Sequence, residues 1–136
     1  MITETFVPVK VQIQEQPQVF ERFNANWTPT QIILDADGKE RYRVEGFLPA
    51  DDLIAQLSLG LARLGFEEKK YSEAEKRFNG VCIQYPNAGV APEACYWAGV
   101  AAYKATNNAE KLRETYRQLK DRYPDNEWAR KASVWQ

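Results

Sequence analysis

Between Phe6 and Ile13 the chain alternates: Val7, Val9, Val11 and Ile13 fall to one side, Pro8, Lys10 and Gln12 to the other. A period of two predicts a strand with one buried face. Pro8 has no N–H, so it belongs at a strand start or on an unpaired edge. The next stretch, QPQVFERFNAN (16–26), reads as a short helix opened by Pro17, with Val19, Phe20 and Phe23 as its apolar face. TQIILDADGKERYRVEGF then reads as a hairpin. Gly38 supplies the left-handed position of the turn after Asp35-Ala36-Asp37. The second strand puts Tyr42 and Val44 on one face, and Arg41, Arg43 and Glu45 on the other.

Near residue 50 the period changes. Leu53, Leu57, Leu61 and Leu64 recur at helical spacing, Ile54 widens the stripe, and Asp51 and Asp52 occupy the first turn, where the helix dipole favours negative charge. One helix of about 18 residues is expected over 50–68, roughly 27 Å long. A repeat follows. YSEAEKRFNGVCIQYP (71–86) aligns with NAEKLRETYRQLKDRYP (108–124), so that Phe78 answers to Tyr116, Val81 to Leu119, and Tyr85-Pro86 to Tyr123-Pro124. The two prolines lie 38 residues apart, and each unit reads as helix, tight turn and a second helix ending before proline.

The chain of 136 residues is long enough for one domain, or for two half-size units sharing a core. At 44% apolar and 27% charged it has an ordinary globular composition. A net charge of −1 creates no field favouring nucleic acid or an anionic membrane, and neither is expected as a partner. No apolar run approaches the length of a membrane span. The opening MITETFVPVKV lacks a basic segment followed by an apolar one, so a cytoplasmic protein is expected. There is no histidine, which removes the usual general base, the Ser-His and Cys-His pairs and the commonest zinc ligand. No enzyme activity, cofactor or metal is expected. Cys82 and Cys95, 13 apart, match neither CxxC nor a metal-site spacing.

Two resemblances follow from these residues. Residues 6–57 resemble the last five elements of the thioredoxin fold: strand, helix, strand, strand, helix. Thr28-Pro29-Thr30 stands where that family keeps a cis-proline, and Gly46 matches a glycine after its last strand. The resemblance implies a cis Thr28–Pro29 bond. It assigns no redox residue, because the family's first strand, first helix and second strand, and the CxxC motif with them, have no counterpart here. In that fold a central strand separates those matching 6–13 and 30–35. Strands sit about 4.8 Å apart, so the gap would be roughly 9.6 Å, too wide for direct hydrogen bonds. Either the two strands shift together or an identical chain fills the slot, and a homodimer is expected.

Residues 57–136 resemble tetratricopeptide-type repeats. Ala62, Tyr71, Ala74, Phe78, Val81 and Pro86 fill the family's places in the first unit, Trp97, Gly99, Leu112, Tyr116, Leu119 and Pro124 in the second, and PDNEWARKASVW looks like a final capping helix. The expected class is α+β: a truncated three-stranded β-α-β-β-α thioredoxin-like unit (1–57) fused to an all-α array of two tetratricopeptide-like repeats plus cap (50–136), the helix 50–68 belonging to both.

These resemblances nominate peptide-contacting residues. Thr28 and Pro29 fall where the first family builds a peptide groove, although a plain turn into the core strand is preferred. Arg63, Phe66, Tyr96, Tyr103 and Lys104 fall near inner-helix positions that line the second family's groove, where aromatic and basic side chains suit an acidic or C-terminal peptide. The plainer alternative is that such aromatics are core. Trp97 is expected in the core, and Trp128 and Trp135 either cap it or form a contact patch. Cys82 and Cys95 fall on consecutive helices; a disulfide is conceivable, but buried free thiols are preferred because no oxidising compartment is indicated. The reading reached is a non-enzymatic protein–protein interaction module. The alternative is a thioredoxin-family thiol–disulfide protein whose CxxC half is missing from this chain or supplied by another. An envelope-associated assembly factor is a third, weaker reading that requires export.

Overall fold

A computed structural model describes residues 5–136. The chain forms two compact units, one through Leu48 and the other Pro49–Gln136. Among the described residues no helix is long and apolar enough to cross a membrane.

The first unit contains a short helix α1 (Pro17–Arg22), with proline in its first turn, and two strands, β1 (Thr30–Leu34) and β2 (Glu40–Glu45). The strands pair antiparallel, Thr30 opposite Glu45 and Ile33 opposite Tyr42, with an irregularity between Ile33 and Leu34. The hairpin forms as its sequence dictates. Gly38 adopts φ +78°, which a side chain would resist. Asp35 Oδ1 accepts the N–H groups of Asp37 and Lys39, both at 3.0 Å. Gln31, Ile33, Tyr42 and Val44 share one face, on which Ile33 and Val44 are buried.

One strand is not formed. Residues 7–12 carry no regular secondary structure, and Val7 and Val9 are 92% and 80% exposed. Among the described residues the sheet has two strands, where three are expected. A period of two encodes an extended chain with one apolar side, but a strand also requires a hydrogen-bonded neighbour, and β1 and β2 use each other. Of the two alternatives for the open slot, the one in which 6–13 shifts to pair directly with 30–35 is not observed.

The second unit is helical: α2 (Ala50–Glu67), α3 (Tyr71–Gln84), α4 (Ala91–Thr106), α5 (Glu110–Arg122), α6 (Glu127–Ala132) and a closing 3₁₀ turn (Ser133–Trp135). The 18 residues of α2 are those its leucine pattern predicts. Its buried face differs. Ala55, Leu59 and Ala62 are fully buried and Leu57 nearly so, while Leu53, Leu61 and Leu64 are only half-buried. α3 and α5 both end just before a Tyr-Pro pair, as the repeat requires. Each helix packs chiefly on its neighbours in the chain, and α4 is the centre, in contact with α2, α3, α5 and α6. Its buried side consists of Ala91, Pro92, Ala94, Cys95, Ala98, Gly99, Ala101 and Ala102. Small residues let neighbouring helix axes approach closely. At Gly99 the approach leaves no room at all: a Cβ there would stand 2.0 Å from Thr115 Oγ1 and 2.6 Å from Thr115 Cβ.

Cys82 on α3 and Cys95 on α4 form a disulfide, not the free thiols expected. Both cysteines are buried, as expected of core thiols. What the spacing did not convey is that two consecutive helices bring their sulfurs face to face. The Tyr-Pro turns are also tied together: the Tyr123 hydroxyl donates to the Pro86 carbonyl at 2.7 Å, and Arg122 Nη2 donates to the Cys82 carbonyl at 3.1 Å.

Two stability measurements check this account. Gly99→Ala forces α4 and α5 apart and should lower the unfolding free energy by about 1–3 kcal/mol, the usual range for overpacking, read as an earlier urea midpoint. The double substitution Cys82→Ala/Cys95→Ala should cost about 3 kcal/mol, because it frees a loop of this length in the unfolded chain. A double variant as stable as the parent would mean that the bond adds nothing.

Candidate functional site

The sequence places its nominated residues in both units. In the first, the Thr28–Pro29 bond is cis, as the resemblance implies, and both residues are exposed. The turn is held from two sides. Thr30 Oγ1 donates to the Trp27 carbonyl at 2.7 Å, and the Pro29 carbonyl accepts the Gly46 N–H at 2.8 Å. Gly46 has φ +88°, so the glycine matched after the last strand is required by backbone conformation. Arg43, on β2, reaches the chain entering the turn. Its Nη2 donates to the Phe23 carbonyl and its Nη1 to that of Asn24, while Nε and Nη2 hold both carboxylate oxygens of Glu40 at 2.7 Å. The Arg43 hydrogen bond holds the Glu40 carboxyl below its ordinary value, and Glu40 in turn raises that of Arg43.

In the second unit two of the nominated aromatics, Phe66 and Tyr96, fall into a connected row of rings. Phe66 on α2 meets Tyr71 at 5.2 Å and Trp97 at 5.4 Å, both edge-on. Trp97 meets its helix neighbour Tyr96 at 5.5 Å and Trp128 of α6 at 6.4 Å. Tyr96 contacts Trp128 at 5.0 Å and stacks on Trp135 of the closing turn at 4.7 Å. Six rings from five segments thus join ring to ring, each half-buried. Such contacts contribute about 0.5–1.5 kcal/mol each beyond area burial. Two cations lie against the row: the Arg63 guanidinium is 5.7 Å from the Trp97 ring centre, and Lys131 Nζ is 3.8 Å from that of Trp128. Arg63 is held by Glu93 at 2.8 Å.

Three features mark this row. The indole N–H of Trp97 is buried and has no hydrogen-bond acceptor. Burial pushes the Tyr96 hydroxyl above the usual phenol range, so it stays a neutral donor and acceptor at physiological pH. A hollow of about 40 Å³ opens beside Trp97, between Arg63, Phe66, Glu67 and Phe78.

Of the sequence-nominated residues, Arg63, Phe66 and Tyr96 are therefore brought together. Tyr103 and Lys104 stand seven residues beyond Tyr96 and Trp97, two helical turns along the same side of α4. Tyr103 is half-buried and Lys104 exposed. Among the described residues no ring contact links Tyr103 to the row. Trp97, expected in the core, lies in the row and is only half-buried; Trp128 and Trp135 cap it and remain partly open. Their membership spans about seventy residues of sequence and has no local signal beyond the aromatic content of the last helix.

Compared with known proteins, residues 1–60 match the model of a family described as Thioredoxin-like domain. The match takes in the whole first unit and continues into α2. The chain thus carries a thioredoxin-like domain at its N-terminal end, and the remainder is consistent with helical repeats. No curated protein and no solved structure matches the chain.

The Arg43 cluster yields a pH test. Arg43→Ala should destabilise the first unit by about 1–3 kcal/mol, the range for removing hydrogen bonds to a charged group. The Glu40 carboxyl is depressed on folding, so its share of this stability is complete above its ordinary value near 4.5 and fades as the pH falls through the lowered one. Chemical denaturation of wild type and variant should therefore differ most at neutral pH and least in acid.

Proposed function

We propose that the chain is a non-enzymatic protein–protein interaction module, in which a truncated thioredoxin-like unit accompanies two tetratricopeptide-like repeats and the aromatic row receives a segment of a partner protein. The observation that carries this reading is the row itself: six half-open rings, two cations against them and an unpartnered indole N–H. Aromatic rings with basic side chains are the residue types that dominate binding energy at protein interfaces. The buried Trp97 N–H adds a donor for a carbonyl or carboxylate of the partner. Arg63, Phe66 and Tyr96 make up the centre of the contact, and Tyr103 and Lys104 extend it along α4. Thr28 and Pro29 offer a second, smaller contact in the first unit. A homodimer is part of the proposal: the apolar side chains of Val7, Val9 and Ile13, all exposed, are spaced to pair with a strand from a second copy.

The family match at residues 1–60 is compatible with this reading and equally with the alternative, a thioredoxin-family thiol–disulfide protein whose CxxC half is missing from this chain or supplied by another. The disulfide bears on the setting, since such bonds persist in oxidising compartments and are uncommon in the cytoplasm. It favours export over the cytoplasmic location expected from the sequence.

Selection of peptides from a random displayed library against the immobilised full chain tests the main reading. Enriched peptides should bind at least tenfold more weakly to Tyr96→Ala and to Trp135→Ala, and equally well to Trp27→Ala, whose exposed ring lies in the other unit. Failure to enrich any peptide, or binding indifferent to the row, would overturn it. Light scattering in dilute buffer tests the dimer: a monomer mass would remove that part and leave the peptide site standing.

A further inference from the structure

The aromatic row is edged with donors that nothing in the chain answers. Among the described residues the Tyr71 and Tyr96 hydroxyls and the Trp128 and Trp135 indole N–H groups have no hydrogen-bond partner, and none of the four is enclosed as the Trp97 N–H is. All four belong to half-buried residues, so each ring lies partly open. An indole N–H donates and cannot accept, and a phenol hydroxyl can always donate. The carboxylates beside the row's cations are already engaged: Glu93 holds Arg63 at 2.8 Å, and Glu127 holds Lys131 at 3.4 Å. Tyr96, Trp97 and Trp128 meet one another at 54° to 82°, so their faces form clefts rather than a flat plate.

A surface of open rings and unanswered donors discriminates among the ways proteins hold peptide segments. Adding a strand requires a sheet edge that offers donors and acceptors in alternation, and the second unit contains no strand. A docked helix uses its carbonyls within itself, so it leaves the donors of the row without acceptors. A polyproline II segment has no internal hydrogen bonds. Its carbonyls are free to accept, and its prolines carry no N–H that would need an acceptor in return. Proline rings pack in clefts lined by aromatic side chains. We propose that the aromatic row is a site for a proline-rich segment in the polyproline II conformation. Its proline rings pack against Tyr96, Trp128 and Trp135, and its carbonyls accept from the two exposed indole N–H groups and the tyrosine hydroxyls. The inference rests on the row being a peptide site and adds the chemical class of the peptide. Such a segment is extended before it binds, so its capture loses little chain entropy.

The experiment titrates the full chain with end-capped nonaproline in a calorimeter. All-D nonaproline is the control, because it has the same composition and polarity and the opposite hand. Saturable binding of the L peptide, and none of the D peptide, is expected. Tyr96→Ala should weaken binding at least tenfold. Trp135→Phe keeps a ring and removes the N–H, and should weaken binding roughly three- to tenfold, as the loss of one hydrogen bond does. Urea-induced unfolding is measured on both variants. Because Trp135→Phe preserves a ring on Tyr96, its effect stays readable even where Tyr96→Ala loosens the cap. No binding of the L peptide, equal binding of the two hands, or an affinity unchanged in Trp135→Phe would each overturn the proposal. Selected display peptides that bind the row without proline would also overturn it, while leaving the row a peptide site. A row that holds neither nonaproline nor any selected peptide would overturn both.

Discussion

The helical unit depends on α4 having nothing large on its inner side. Eight buried positions of that helix are filled by alanine, glycine, cysteine and proline, and a Cβ at Gly99 would already collide with Thr115. Close approach lets four neighbouring helices pack on one sixteen-residue element. It also forces the large side chains of α4 to the opposite side, since a helix has only two sides to divide. Tyr96 and Trp97 therefore emerge together, within reach of α2 and α6, and the aromatic row is the complement of the small-residue face. The bulk missing from α4 is supplied by its neighbours, with Leu59, Phe78 and Leu119 fully buried around it.

The helices were legible because their signals are local. Leucine spacing and the first-turn aspartates fix α2, and the Tyr-Pro pairs stop α3 and α5, whatever the rest of the chain does. What the sequence concealed were properties of pairs. Leu59 stands outside the leucine stripe yet is fully buried, because the small residues of α3 and α4 select which face of α2 they meet. The alternation at Val7–Ile13 is a sound signal for extended chain, but it does not record whether a neighbouring strand exists to complete it. Burial of Cys82 and Cys95 follows from their residue type, but their bonding does not, because the distance between two helices is not written in either one. Arg63, Phe66 and Tyr96 were reached through repeat positions, whereas Trp128 and Trp135 joined them only through the fold.

The first unit shows what happens when apolar burial is scarce. Ile33 and Val44 are its buried hydrophobic residues, and a two-stranded sheet with so thin a core is marginal by itself. Polar anchoring takes a larger share. Arg43 alone ties β2 to the two carbonyls at the end of α1 and to Glu40, and Gly46 returns a hydrogen bond to Pro29. Hydrogen bonds fix geometry more than they add net stability, since water competes for the same groups. They hold the turn at Thr28–Pro29 in one shape while leaving its side chains exposed.

In a linear array of helices, stability is close to a sum of local terms and nearest-neighbour interfaces, so a weak interface divides the array. Here the covalent and polar ties concentrate on one junction. The disulfide joins α3 to α4, Arg122 reaches Cys82, and the Tyr123 hydroxyl reaches Pro86. All of them lie between the segment ending at the first Tyr-Pro turn and the segment that follows it. The row of rings on the other side is joined by edge-on, tilted and stacked ring packings and by the Arg63–Glu93 ion pair, with no covalent tie among the described residues. One side of the unit is therefore locked and the other adaptable. Adaptability is what a surface needs if it is to accept an additional segment, and rigidity beneath it keeps the entropic cost of that acceptance low.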